Sequence, residues 1–297
     1  MTKDLSFEKY VAAGNDFIVV DNRKGVIKDG VKAAKTLCDR KFGIGADGIL
    51  LLESSKKADV KMRIFNPDGS QAEMCGNGVR CLAHFAVAHK IAKADHTVET
   101  GAGLIGAQVR RSTVNAKLTQ PSGLKLNIHL RIGGQAQKVH FINTGVPHAV
   151  IVNNELDKVD VESRGQEVRR HAHFAPRGTN VNFIHCSKDG IEVRTYERGV
   201  EGETLACGTG VTAAAVLYAV RLGHHRRIAR PATHRIVVQV KSGETLFVSL
   251  KVQRLGNQSQ VTEVTLDGAV RWICRGTFDW PAVSESRKVA RTAKVRV

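Results

Sequence analysis

The chain has 297 residues, 42% hydrophobic and 5% aromatic, with 45 basic against 28 acidic side chains and a formal net charge of +17. That length and hydrophobic share suffice for two domains with sizeable cores, so neither a disulfide framework nor a structural metal is needed to hold the fold. The opening lacks a basic-then-apolar leader and no run reaches about 18 apolar residues, so a cytoplasmic protein without membrane association is expected.

Cys38, Cys75, Cys81, Cys186, Cys207 and Cys274 form no Cys-x-x-Cys pair and have no histidines at ligand spacing, so reduced thiols are expected and no metal. Excess positive charge suits a polyanion partner. The positives are scattered, however, and no nucleic-acid motif accompanies them. The run from His224 to Arg230 and the basic residues after Trp280 read as solvated surface.

In chain order, Lys9 to Asp16 predicts a polar loop carrying Asn15, and the β-branched residues after Phe17 predict a strand. Val31 to Arg40 reads as a short helix. Phe42-Gly43-Ile44-Gly45-Ala46-Asp47-Gly48 then forms a glycine-rich loop before a strand from Ile49. Val60 to Phe65 alternates as a strand and ends in the turn Asn66-Pro67-Asp68-Gly69-Ser70. That turn delivers the chain to Glu73-Met74-Cys75-Gly76-Asn77-Gly78-Val79-Arg80, and the apolar run through Ala88 predicts a buried helix. Short strands are expected from about Thr97 to Leu118.

After Pro121 the pattern begins again. Ala206-Cys207-Gly208-Thr209-Gly210-Val211 rewrites the Cys-Gly-x-Gly-Val motif 132 positions after Cys75, and the apolar residues Ala213 to Tyr218 follow it. Gly14 and Gly145 stand 131 apart, as do Arg63 and Arg194, and Asp47 and Asn180 stand 133 apart. Offsets constant to within two residues imply a duplicated domain, too long for a solenoid unit. The expectation is an α/β (α+β) fold of two similar, pseudo-twofold-related domains, each a mixed sheet wrapped round a central helix, with the active site in the interdomain cleft. Residues 1–123 with 265–278 would form one domain and 124–264 the other. The second would end in strands from Arg235 to Leu266 around a Ser242-Gly243 turn, and Arg271 to Phe278 would be the last strand. Residues 279–297, basic and without apolar period, are expected to be a disordered tail.

The unpartnered N–H groups at a helix start, with the helix dipole, favour negative charge. A cysteine there is expected to have a lowered pKa and a reactive thiolate, and the same N–H groups can cradle a carboxylate. Two thiols on opposite sides of one cleft suit a reaction that takes a proton from one face of a carbon and returns one to the other, a racemisation or epimerisation. An unperturbed thiol pKa of about 8.5 lets one cysteine ionise while its partner stays protonated. No lysine motif for a pyridoxal Schiff base appears.

Together, Gly14-Asn15-Asp16-Phe17, Gly43-Ile44-Gly45-Ala46-Asp47, Phe65-Asn66-Pro67-Asp68-Gly69-Ser70, Met74 to Cys81, Gly145-Val146-Pro147-His148, Asn180-Val181-Asn182-Phe183 and Tyr196-Glu197-Arg198-Gly199 leading to Cys207-Gly208-Thr209-Gly210 resemble the diaminopimelate epimerase family in kind and order. The likeness spans about residues 10 to 278. It implies a cofactor-independent epimerase that interconverts LL- and meso-2,6-diaminopimelate in lysine and cell-wall biosynthesis. The implied partner is a small-molecule substrate, with no specific nucleic acid, no membrane and a homodimer as the candidate assembly. The resemblance makes Cys75 and Cys207 the acid/base pair, tuned by His148 and Glu197. It makes Asn15, Asn66, Gly76, Asn77, Asn180, Glu197, Arg198, Gly208 and Thr209 substrate ligands, with Gly76-Asn77 and Gly208-Thr209 holding the α-carboxylate through backbone N–H groups. Many members of that family have Asn at the position of Val146 and Gln at that of Gly48, so the chemistry is firmer than the substrate. A relative acting on another amino acid, a proline-racemase-like or phenazine-pathway isomerase, and a polyanion-binding protein on the same fold stay open as alternatives.

Overall fold

The computed structural model describes residues 3–225, 232–255 and 258–280; the expected tail beyond Trp280 and the basic run from Arg226 to Arg230 lie outside the described residues. The first half contains β1 (Lys3–Ala12), β2 (Asn15–Asp21), α1 (Gly30–Leu37), β3 (Gly48–Glu53), β4 (Val60–Phe65) and β5 (Gln71–Ala72). It continues with α2 (Gly76–Ala88), β6 (Asp95–Thr100), β7 (Gly103–Arg110) and β8 (Thr113–Lys117). The second half contains β9 (Ser122–Ile132), β10 (Gln135–Asn143), β11 (Pro147–Val152), α3 (Val161–Arg169), β12 (Asn180–Cys186), β13 (Ile191–Glu197) and β14 (Gly202–Thr204). After α4 (Gly208–His225) come β15 (Ala232–Val240), β16 (Thr245–Leu255) and β17 (Gln258–Ala269), and β18 (Arg271–Trp280) returns to pair with β1.

The pairing of one half reproduces that of the other. β2 runs parallel to β3, β3 antiparallel to β4, and β4 parallel to β6; β11 with β12, β12 with β13, and β13 with β15 repeat each relation. Register repeats too, since Phe17 faces Gly48 in the first half and His148 faces Asn180 in the second. The antiparallel pair β8 and β17 joins the halves, and the strands of the described residues form one continuous 18-stranded sheet. The expected boundary between Val264 and Thr265 falls inside β17, which pairs with strands of both halves.

Local chemistry explains the matching turns. The loops entering β2 and β11 pass through Gly14 and Gly145 at φ +82° and +109°, where a Cβ would be strained. At Gly14 a Cβ would also stand 3.0 Å from Leu205 and Ser242 of the other half, so glycine lets the halves close on each other.

Each central helix is wrapped by its own strands, α2 by β1 to β4, β7 and β8, and α4 by β10 to β13 and β15 to β17. In α2, Val79, Leu82, Ala83, Phe85 and Ala86 are buried; in α4 the burial is nearly continuous from Val211 to Val220. Each large apolar side chain so buried contributes about 1.5–3 kcal/mol. The shorter helices α1 and α3 cover the outer faces, capped by Asp29 and Asp160, whose carboxylates accept the N–H groups of Lys32 and Ser163.

Several boundaries differ from expectation. The loop expected from Lys9 to Asp16 shrinks to the Ala13-Gly14 turn, because Lys9 to Ala12 pair in β1 and Asn15 and Asp16 open β2. α1 stops at Leu37, short of Arg40, because the Leu37 carbonyl is taken by the N–H groups of Ile44 and Gly45 at 2.9 and 3.0 Å, which folds the glycine-rich loop back onto the helix end. β18 includes Asp279 and Trp280, which were expected in the tail: they pair with Asp4 and Lys3, and the Trp280 side chain joins the core beneath α1. Among the described residues no helix is long and apolar enough to cross a membrane.

Candidate active site

The two glycine turns meet where α2 and α4 begin. A Cβ placed on Gly208 would stand 3.5 Å from the Gly76 Cα, so the helix N-termini adjoin, with Leu266 against both glycines. Cys75 is the N-cap of α2 in extended backbone, and its sulfur accepts the Gly78 N–H at 3.4 Å. Gly210 makes the matching backbone hydrogen bond to Cys207, whose sulfur also lies 3.3 Å from the Thr209 hydroxyl. Both thiols are free, Cys207 buried and Cys75 half-buried. Two helix starts thus turn their first-turn N–H groups and positive dipole ends toward one small region, some of those N–H groups already bonded to the thiols.

The expected lowering of the thiol pKa values is overturned. Burial pushes Cys75 up, and it pushes Cys207 well up with the Glu197 carboxylate adding to the effect, while the turn N–H groups pull the other way and lose. Desolvation of a thiolate outweighs a few partial charges in a site this enclosed, so both cysteines are held as thiols. Burial also raises the Glu197 carboxyl, opposed by hydrogen bonds from Thr204 and Cys207.

The surrounding groups are fixed by short bonds. Thr204 Oγ1 donates to Glu197 Oε1 at 2.6 Å. The Arg198 N–H donates to Asn180 Oδ1 at 2.8 Å, and Asn180 Nδ2 to the Pro147 carbonyl at 3.3 Å, tying the end of β13 to the start of β11. The Arg198 guanidinium is half-buried, its pKa lowered by burial and by Arg169 and Arg177, and no carboxylate forms an ion pair with it among the described residues. On the other side, Asn15 Nδ2 donates to Asp47 Oδ2 at 2.8 Å, and its Oδ1 lies 3.9 Å from Cys75 Sγ. Asn77 reaches across the halves, with Nδ2 donating to the Ala206 carbonyl at 3.3 Å.

The sequence-predicted residues Asn15, Cys75, Gly76, Asn77, Glu197, Cys207, Gly208 and Thr209 are therefore brought together around the two helix starts. Asn180 and Arg198 form a linked pair, and His148 is joined to the first turn of α4 through Asn182. The Asn66 side chain donates to Ser70 Oγ within its own turn at 2.9 Å. Of the two departures from the family pattern, Gly48 is buried, and a Cβ there would press on the Phe65 carbonyl at 3.0 Å. Val146 accepts a backbone bond from Thr144, whose hydroxyl in turn donates to the Thr209 carbonyl at 2.9 Å.

Sequence reasoning missed several residues. Arg80 is fully buried, donates to Asn77 Oδ1 at 2.8 Å and to the Gly76 carbonyl at 3.4 Å, and has no ion-pair partner among the described residues. An arginine in an otherwise apolar helix run was the available signal. Asp47, Thr144, Thr204, Asn182 and Thr195 act through long-range bonds that no local pattern announces.

This arrangement of two repeated mixed-sheet halves around paired central helices is shared with solved isomerase-type structures. A probable proline racemase from Agrobacterium radiobacter K84 superimposes with a TM-score of 0.70 at 16% identity, covering 96% of this chain and 94% of that one, a likeness of fold alone. The family model for diaminopimelate epimerase matches residues 7–122 and 140–266. The chain is 43% identical over 270 residues to a diaminopimelate epimerase of Hydrogenobaculum sp. (strain Y04AAS1), covering 86% of this chain and 95% of that protein. It is 45% identical over 286 residues to one of Methanothrix thermoacetophila, covering 92% and 95%. The chain belongs to the diaminopimelate epimerase family.

Proposed function

We propose that the protein is a cofactor-independent isomerase that interconverts LL- and meso-2,6-diaminopimelate, serving lysine and peptidoglycan precursor synthesis in the cytoplasm. The observation that carries this reading is the pairing of Cys75 and Cys207 at two adjoining helix N-termini. One sulfur, as thiolate, takes the α-proton from one face of the carbon; the other, as thiol, delivers its proton to the opposite face. The C–H bond broken on one side is replaced by a C–H bond formed on the other, and the two sulfurs exchange protonation states. A thiol whose pKa is raised by burial becomes a strong proton acceptor once ionised, and Glu197, within hydrogen-bond reach of Cys207, is the group poised to receive the proton that ionisation releases.

The negative charge that develops at the α-carboxylate is stabilised by the N–H groups of Gly76-Asn77 and Gly208-Thr209. Arg198, with no ion pair to a carboxylate among the described residues, offers a fork to the distal carboxylate, with Asn15, Asn66 and Asn180 as further ligands. Incubation with LL-diaminopimelate in D₂O, followed by NMR, tests the reading: the α-proton signal should vanish as the meso isomer appears. Retention of that signal with a stereochemically unchanged substrate overturns it. Whether two copies of the chain associate is read by light scattering on the eluting protein.

A further inference from the structure

The halves carry different chemistry at equivalent places. In the first, Phe17, Leu50 and Ile64 lie on β2, β3 and β4, all buried, and Leu50 and Ile64 pack 3.1 and 3.5 Å from where a Cβ of Gly78 would stand. In the second, the same register positions on β11, β12 and β13 hold His148, Asn182 and Thr195, equally buried, and Asn182 Oδ1 lies against Gly210. The apolar trio fills such a space with no polar group to satisfy. A buried polar trio in its place is costly unless every donor and acceptor has a partner.

The bonds within this trio fix where the protons are. The Ala149 carbonyl can only accept, and Asn182 Nδ2 donates to it at 3.3 Å. The Thr195 hydroxyl donates to Asn182 Oδ1 at 3.0 Å, holding the amide from its other end. The same Nδ2 lies 3.0 Å from His148 Nδ1. An amide nitrogen has donors and no acceptor, so His148 Nδ1 is the bare nitrogen and the proton sits on Nε2. Nε2 is buried and has no hydrogen-bond partner among the described residues. Asn180, which faces His148 across the sheet, and Arg198, bonded to Asn180, stand beside it.

We propose that Asn182, held by Thr195, is a positioning residue that locks His148 as the neutral Nε2–H tautomer, so that His148 serves the site as a fixed hydrogen-bond donor to an anion and not as a base. This rests on the active-site reading above. Burial, with the Arg198 cation adding, pushes the His148 pKa down to about 3 and keeps the imidazolium from forming at neutral pH. The anion is a substrate carboxylate or a cysteine thiolate, which share the chemistry of an unprotonated acceptor. Either one gives the buried Nε2–H the partner it otherwise lacks.

Long-range ¹H–¹⁵N spectra of the full chain, with His148 assigned by comparison with His148→Gln, read the tautomer directly. The expected result is a protonated Nε2 and a bare Nδ1; an Nδ1–H tautomer, a mixture or an imidazolium at neutral pH overturns the proposal. Asn182→Asp supplies an acceptor to Nδ1 and should invert the tautomer and lower kcat by about 10²-fold, the loss typical of a missing preorganised donor, with little change in KM. An unchanged tautomer, or an inverted one with unchanged kcat, overturns it. Adding LL-diaminopimelate to a Cys75→Ala/Cys207→Ala double variant moves the Nε2–H resonance if the substrate carboxylate is the acceptor; a shift that requires the thiols assigns it to a thiolate. No shift in either protein overturns the donor role. The tautomer is measured without substrate, so failure of the wild type to exchange the α-proton of diaminopimelate would sink the proposed activity and leave this assignment standing.

Discussion

The first half buries Phe17, Leu50 and Ile64 where the second buries His148, Asn182 and Thr195, although both trios occupy the same register on equivalent strands. The contrast extends outward. Arg63 reaches Glu53 through one 3.3 Å contact, whereas Arg194 grips Glu203 with two bonds of 2.7 and 3.0 Å and also donates to the carbonyls of Leu156 and Val159. On the helices, Arg80 donates to the Gly76 carbonyl, and Thr212, its counterpart, donates to the Gly208 carbonyl. Backbone pairing thus survives duplication while the side chains beneath each thiol diverge. Strand register is set by alternation of buried and exposed faces, which tolerates a change of chemistry as long as the face stays buried.

The most severe test of the symmetry is at the thiols. Cys75→Ala and Cys207→Ala should each lower α-proton exchange by about 10²–10⁴-fold, since each removes one general acid or base. A variant that keeps near-normal exchange would make one half a bystander. The transplant His148→Phe/Asn182→Leu/Thr195→Ile, which writes the first-half trio into the second, should lower kcat by about 10²-fold through loss of a positioned donor. Its stability should hold within about 1–2 kcal/mol, because replacing every partner of a buried network by apolar groups is close to neutral. A urea midpoint far below wild type would show that the polar trio holds the fold.

Stability should separate the halves next. Arg194→Met should cost about 2 kcal/mol, less than a fully buried pair because the Arg194 side chain is 21% exposed, while Arg63→Met should cost under about 1 kcal/mol. Equal shifts in the urea midpoint would erase this difference. The halves should also differ in the pH dependence of stability. His140 and His148, both in the second half, are pushed by burial from the ordinary histidine range down to about 4 and about 3. A histidine with a depressed native pKa binds its proton first in the unfolded chain, so its contribution is fully present above about pH 6.5 and is lost as pH falls toward the native value. Each adds a slope of up to about 1.4 kcal/mol per pH unit between about pH 6.5 and 4, and His140→Gln should flatten the unfolding curve by that amount. An unchanged slope would mean that His140 is protonated in the native protein.

Much of this protein was legible in one dimension. The constant offset between the two Cys-Gly-x-Gly-Val turns fixed the duplication, and the apolar runs after Cys75 and Cys207 fixed the two central helices, because periodicity and glycine placement are local properties of the chain. The tail boundary was two residues early, since Asp279 and Trp280 carry no apolar period and are strand only because β1 pairs with them.

What the sequence determined by itself was the repeat, the pair of thiols and the family, all carried by residue types at fixed spacing. Tertiary structure alone decided the state of those thiols and the role of the groups around them. Whether a cysteine at a helix start is thiolate or thiol depends on how much water remains beside it, and burial from both halves holds Cys75 and Cys207 protonated against the pull of the turns. Which nitrogen of His148 carries the proton depends on an asparagine 34 residues away, brought within 3.0 Å by the parallel pairing of β11 and β12. Solvation and hydrogen-bond direction are properties of assembled surroundings, and no spacing along the chain encodes them.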